Sequence, residues 1–106
     1  MEPTFHLLLY RAFHAQRSYL YPRLRELGLG PGQPKLLEYL GSHGPCAQRE
    51  LAEYFEIDPA AVSRMLDTLQ KGGFVARRTD GDRRRDRMEL TEKGQAAREA
   101  WREACR

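Results

Sequence analysis

A mainly α domain with one small β-hairpin (α+β) is the fold class this sequence predicts, and three observations carry it. Apolar residues recur every three or four positions through successive segments, the spacing of one-sided helices. Glycine and proline clusters at residues 28–34, 41–45 and 72–73 part those segments. Only between residues 74 and 90 does the pattern turn β-prone and alternating, around Asp80, Gly81 and Asp82, a hairpin signal. With 106 residues the chain has room for one modest core, so residues 1–106 are read as a single domain.

Residues 4–27 form the first predicted helix. Phe5, Leu8, Leu9, Ala12, Phe13, Gln16, Tyr19, Leu20, Leu24 and Leu27 lie along one stripe, and Thr4 can cap its start. Pro22 falls inside the pattern and is expected to kink or interrupt it, because proline lacks an amide donor and crowds the preceding turn. The stripe is broader than so small a domain needs for itself, which points to a partner helix. A second helix, "QPKLLEYLGSHG", turns Leu36, Leu37 and Leu40 inward. A third, "AQRELAEYF", presents Leu51, Ala52 and Phe55 to the core, with Ala47 giving no capping side chain.

Only "EID" separates it from a fourth helix over residues 59–72. Asp58 is the expected N-cap acceptor, Pro59 suits the first helical position, and Gly72 and Gly73 close the helix. Two helices across so short a turn make a helix-turn-helix pair. "FVARRT" and "DRMEL" are the strands of the hairpin, with its tip and flanks at 79–87, and Met88 and Leu90 share a face. Thr91 then caps a last helix in which Ala97, Ala100, Trp101 and Ala104 share a face. The order is a winged helix-turn-helix over residues 31–90, flanked by helices 4–27 and 91–106.

Composition bounds the function. Charged residues make up 31% and hydrophobic residues 41%, a balance that excludes a membrane protein and suits a soluble fold. No basic-then-apolar leader opens the chain, so a cytoplasmic location is expected. Cys46 and Cys105 are far apart and lack a CxxC partner, so they are read as two small thiols. His6, His14 and His43 complete no metal spacing, and no metal or cofactor is expected. No nucleophile-and-base arrangement or glycine-rich phosphate loop suggests an enzyme.

The positive charge has a place. The net charge is only +3, but from Lys71 to Arg87 the bases Lys71, Arg77, Arg78, Arg83, Arg84, Arg85 and Arg87 outnumber Asp80, Asp82 and Asp86. In the fourth helix Val62, Met65, Leu66 and Leu69 form the core stripe, leaving Ala60, Ala61, Ser63, Arg64, Asp67, Thr68 and Lys71 outward. Small residues there allow close approach of the backbone, the helix N-terminus favours a phosphate, and Arg64 can fork onto guanine in a major groove. Arg83, Arg84 and Arg85, held between two strands, suit the negative potential of a narrow minor groove. The pattern fits double-stranded DNA. A winged helix used for protein assembly or structured RNA is the alternative, since a fold does not fix its partner.

The runs "LGLGPGQPKLLEYL" and "QRELAEYFEIDPAAVSRMLDTLQKGGFVARRTDGDRRRDRMELTEKG" resemble the MarR family of bacterial winged-helix transcription regulators, above all in "VSRMLDTL", "GGFVARR" and the spacing from the wing to "LTEKG". The resemblance implies a homodimer through the terminal helices, most simply a repressor, on an imperfect palindrome. It implies that Ser63, Arg64 and Thr68 touch bases and phosphates, that Asp82 orients Arg84 toward the minor groove, and that Gln33, Lys35, Gln48 and Arg49 contact phosphates. It also implies a small lipophilic or phenolic effector, in a cleft that Phe5, Leu9, Tyr10, Phe13, Tyr19, Tyr39 and Trp101 would line. Three features depart from the family pattern: Ala47 replaces the usual hydroxyl cap, Glu56 stands where glycine is frequent, and the helix 91–106 is shorter than usual. The dimer interface is therefore expected to be smaller or to rest mainly on residues 4–27.

Overall fold

Thr4 opens the first helix, its hydroxyl oxygen accepting the Leu7 N–H at 3.2 Å. The computed structural model describes residues 4–78 and 87–106. The helix, α1, runs Phe5–Leu27 and closes on Gly28 in the left-handed region. It continues through Pro22, where a kink or an interruption was expected, so there is no interruption, and Leu20 and Leu24 are anchored in the core on either side. Helix α2 (Gln33–His43), α3 (Gln48–Phe55) and α4 (Pro59–Lys71) follow, then strands β1 (Val75–Arg78) and β2 (Arg87–Leu90) and helix α5 (Glu92–Ala104). The strands pair antiparallel, Val75 opposite Leu90 and Arg78 opposite Arg87.

The core is where α2, α3, α4 and the hairpin base meet. Leu36, Leu37, Leu51, Val62, Leu69 and Val75 are fully buried, and Leu66, Phe74, Met88 and Ala97 surround them. Met65 and Phe55, placed on core stripes from sequence, are partly buried against this cluster. Each fully buried aliphatic side chain contributes about 1.5–3 kcal/mol, which fixes α4 by one face and commits the other to solvent.

The α3–α4 turn uses Glu56 at φ 53, a left-handed conformation that costs a non-glycine residue about 1–2 kcal/mol. Ala47 and Asp58 both precede their helices without a side-chain cap. The lack was expected of Ala47, but Asp58 is a correction. Its backbone carbonyl accepts the N–H groups of Ala61 and Val62 while the carboxylate makes no cap bond.

Helix α5 returns along α2 and α1. The Arg98 guanidinium donates to Glu38 Oε1 at 3.1 Å and to Ser42 Oγ at 3.3 Å, and Arg102 lies 3.7 Å from Glu38 Oε2. Just beyond the C-terminal end of α2, Cys46 exchanges backbone hydrogen bonds with Met88 at 3.0 and 2.8 Å, adding a bridge beside β2. That bridge ties the approach to α3 to the base of the hairpin.

Candidate nucleic-acid interface

The outward face of α4 is built as its periodicity requires. Ala60, Ser63, Arg64, Asp67 and Thr68 are exposed, Ala61 is half-buried, and Val62, Leu66 and Leu69 hold the opposite face in the core. Thr68 donates its hydroxyl hydrogen to the Arg64 carbonyl at 3.0 Å, which leaves oxygen lone pairs outward. Arg64 stands exposed one turn above it.

The ancillary residues divide. Gln48, half-buried, donates from Nε2 to the Pro59 carbonyl at 3.4 Å and so joins the start of α3 to the start of α4. Arg49 is exposed and pairs with Glu53 at 3.2 Å, a surface pair worth a few tenths of a kcal/mol that leaves it available to an anion. Lys35 is exposed, its ammonium 5.6 Å from the Phe55 ring centre. Gln33 departs from the expectation of a phosphate contact. Only 8% exposed, it accepts the Gly30 N–H on Oε1 at 2.7 Å and closes its own loop.

Asp82, Arg83, Arg84 and Arg85 lie outside the described residues, so the base of the wing is what can be placed. There Arg77, Arg78 and Arg87 are exposed, and Arg78 sits 3.8 Å from Glu89. Arg77, Arg78 and Arg87 were counted in the local charge excess read from the sequence, but only Arg83, Arg84 and Arg85 of the wing's bases were named as contacts. The excess of bases from Lys71 to Arg87 was the signal that could have included them.

A polar cluster joining α2 to α3, with Tyr39 and Cys46 buried and His43 and Glu50 exposed, is one that sequence reasoning missed. The Tyr39 hydroxyl donates to Glu50 Oε2 at 2.9 Å, and His43 stacks on the Tyr39 ring with centres 4.0 Å apart. The Cys46 thiol beside it and then the Tyr39 hydroxyl hold the Glu50 carboxyl below its usual value, while the Cys46 S–H itself donates to the Gly44 carbonyl at 3.1 Å. Burial first, and then the Glu50 partner, pushes the Tyr39 hydroxyl and the Cys46 thiol each up to about 12. Among the described residues no group of three or more His, Cys, Asp and Glu could hold a metal ion.

An open cleft of about 740 Å³ separates α1 from α2 and α5. Of the seven residues expected to line an effector cleft, Phe13 and Trp101 do so, joined by Leu20, Tyr21 and Leu24. Tyr39 is a correction: its ring packs with Tyr54 and Phe55, and its hydroxyl donates to Glu50. Phe5, Leu9, Tyr10 and Tyr19 also fall outside the lining, exposed along α1 instead. The spacing of α1 put them on one stripe, but only part of that stripe faces α2 and α5.

Three core helices, a helix-turn-helix pair with its second helix displayed, and a two-stranded hairpin define a winged helix-turn-helix protein. The family model described as MarR family matches residues 27–85, more than half of the sequence. The chain belongs to the MarR family. It is 34% identical over 74 residues to an uncharacterized HTH-type transcriptional regulator of Bacillus cereus strain ZK, covering 70% of this chain and 49% of that one. It is 32% identical over 89 residues to the HTH-type transcriptional repressor MdtR of Bacillus subtilis, covering 83% of this chain and 57% of MdtR. Among solved structures, a mutant of S. aureus MepR bound to an oligodeoxyribonucleotide superposes with a TM-score of 0.77 at 26% identity, over 96% of this chain and 76% of that one. The chain spans about half the length of the curated relatives it matches.

Proposed function

We propose that this protein is a cytoplasmic transcription regulator, a repressor, that binds double-stranded DNA as a homodimer on a pseudo-palindromic operator. The observation that carries the reading is the displayed face of α4, where Ser63, Arg64 and Thr68 stand exposed on a helix whose other face is locked in the core. Helix α4 enters the major groove, Arg64 reads a base edge, and the two copies sit about 34 Å apart, one turn of the duplex. The wing at residues 79–87 enters the adjacent minor groove with Asp82 bracing Arg84, while Arg83 and Arg85 neutralise phosphates. Lys35, Arg49 and Gln48 at the helix starts meet the backbone. Gln33 contributes by shaping the loop ahead of α2. The DNA-bound MepR structure supports the placement by likeness of fold.

A small lipophilic or phenolic effector would bind the cleft beside α1, against Phe13, Leu20 and Trp101. Filling it would shift α1 and α5 against α2 and so alter the spacing of the two α4 helices.

Selection of bound duplexes from a random pool tests the reading. The recovered motif should be an inverted repeat with half-sites about one helical turn apart, bound with a steep salt dependence and with about 10³-fold or greater preference over random duplex. Arg64→Ala should weaken that binding by about 1–3 kcal/mol and relax one base pair per half-site. A chain that prefers no duplex, or prefers a protein or folded RNA, would replace this reading with that of an assembly module.

A further inference from the structure

The end of α4 is held by residues outside the helix-turn-helix. Gly72, Gly73 and Phe74 carry three consecutive carbonyls where α4 gives out, and the segment that starts α5 takes all three. Lys93 Nζ donates to the Gly72 carbonyl at 2.7 Å, Thr91 Oγ1 to that of Gly73, and the Thr91 N–H to that of Phe74 at 3.1 Å. The Thr91 hydroxyl also accepts the Gly94 N–H at 3.1 Å, so a single oxygen caps α5 and grips the end of α4. The Lys93 ammonium lies 4.6 Å from the Phe74 ring centre, and the carbonyl end of α4 favours a positive charge there. Gly94 permits the approach, because a Cβ at that position would run into the Phe74 carbonyl oxygen.

Helix α4 is thus gripped at both ends, by Gln48 on the Pro59 carbonyl and by Thr91 and Lys93 beyond Lys71. A helix that reads base edges must hold its tilt closely, because a bidentate contact is lost over displacements well under the length of a hydrogen bond. We propose that Thr91 and Lys93 clamp the C-terminal end of α4 to α5, and that Lys93 is a positioning residue for sequence reading, acting through the Gly72 carbonyl and not by touching DNA. The inference rests on the function proposed above. It makes α5 the element that carries any movement beside the cleft directly into the tilt of α4.

Lys93 is exposed, so Lys93→Met, which keeps the apolar stem over Phe74, leaves folding intact; thermal unfolding confirms this. Preference for the selected duplex over random duplex should fall about fivefold on losing a charge-assisted hydrogen bond, with the salt slope unchanged, and Lys93→Arg should restore it. A slope flattened by about one unit per half-site, with equal loss on both duplexes, would mean a phosphate contact and overturn the proposal. So would an unchanged preference. In the DNA-free protein, amide hydrogen exchange at Gly73 and Phe74 should accelerate in Lys93→Met, and unchanged exchange overturns the clamp itself. If the unaltered chain prefers no duplex, the function reading and the role in sequence reading fall together, while the exchange measurement still decides the clamp.

Discussion

Tyr39, Cys46 and Glu50 work as one unit whose pH behaviour follows from who donates to whom. Glu50 has the Cys46 thiol beside it and accepts from the Tyr39 hydroxyl, so its folded value lies below the usual 4.5. Its contribution to stability is complete above that usual value and is lost as pH falls through the lower folded one. Tyr39 and Cys46 run the opposite way. Their neutral forms are favoured, so their contributions are complete below the ordinary values of 10.0 and 9.0 and are lost as pH rises toward about 12. Denaturant titrations should show Cys46→Ala losing less stability than the unaltered protein between pH 9.0 and about 12. A parallel pair of curves would mean that the thiol ionises freely. That Cys46 is buried was legible, since it sits at an apolar position. Its partner Glu50, on the next helix, was not, because helical spacing says nothing about which polar groups meet across a turn.

At the level of elements, threonine caps and glycine stops were readable, while the effect of Pro22, the Asp58 cap and close approaches were not. Thr4 and Thr91 cap α1 and α5 as their chemistry requires, whereas Asp58 does so only through its backbone. Gly94 is the instructive residue, since glycine ordinarily weakens a helix and here marks the place where α5 meets the Phe74 carbonyl. Helix propensity alone predicts that Gly94→Ala stabilises by about 1 kcal/mol. The contact predicts the reverse, a loss of about 1–3 kcal/mol as α5 is forced off the end of α4. Thermal unfolding decides between them by the direction in which the midpoint moves. The wing divides in the same manner: its strands followed from alternation, and only the register sets Arg78 opposite Arg87 at the base.

For the molecule as a whole, the question is what covers α1. Phe5, Leu8, Leu9, Tyr10 and Phe13 are 49–81% exposed along its first half, while Leu20 and Leu24 in its second half are buried. A helix solvated on its apolar side is unfavourable by about 25 cal/mol per Å² of apolar surface, and the homodimer proposed above would cover it with a second copy of α1. Sedimentation should therefore report a dimer. Leu9→Glu should shift it to monomer and lower affinity for the inverted repeat by at least about tenfold, with a single half-site bound as before. A monomeric unaltered protein, or a dimeric Leu9→Glu variant, would place the interface elsewhere.

The sequence alone determined where each helix begins and ends, which face of each is apolar, and that a basic hairpin follows a displayed helix. Those properties follow from periodicity, cap chemistry and turn residues within a few positions of one another. Tertiary structure alone decided that Gln33 turns inward, that Tyr39 serves Glu50 instead of the cleft, and that α5 seizes the end of α4. Such choices depend on groups that are distant along the chain, such as Arg98 and Glu38 at a separation of 60 residues, and only the packed core brings them together.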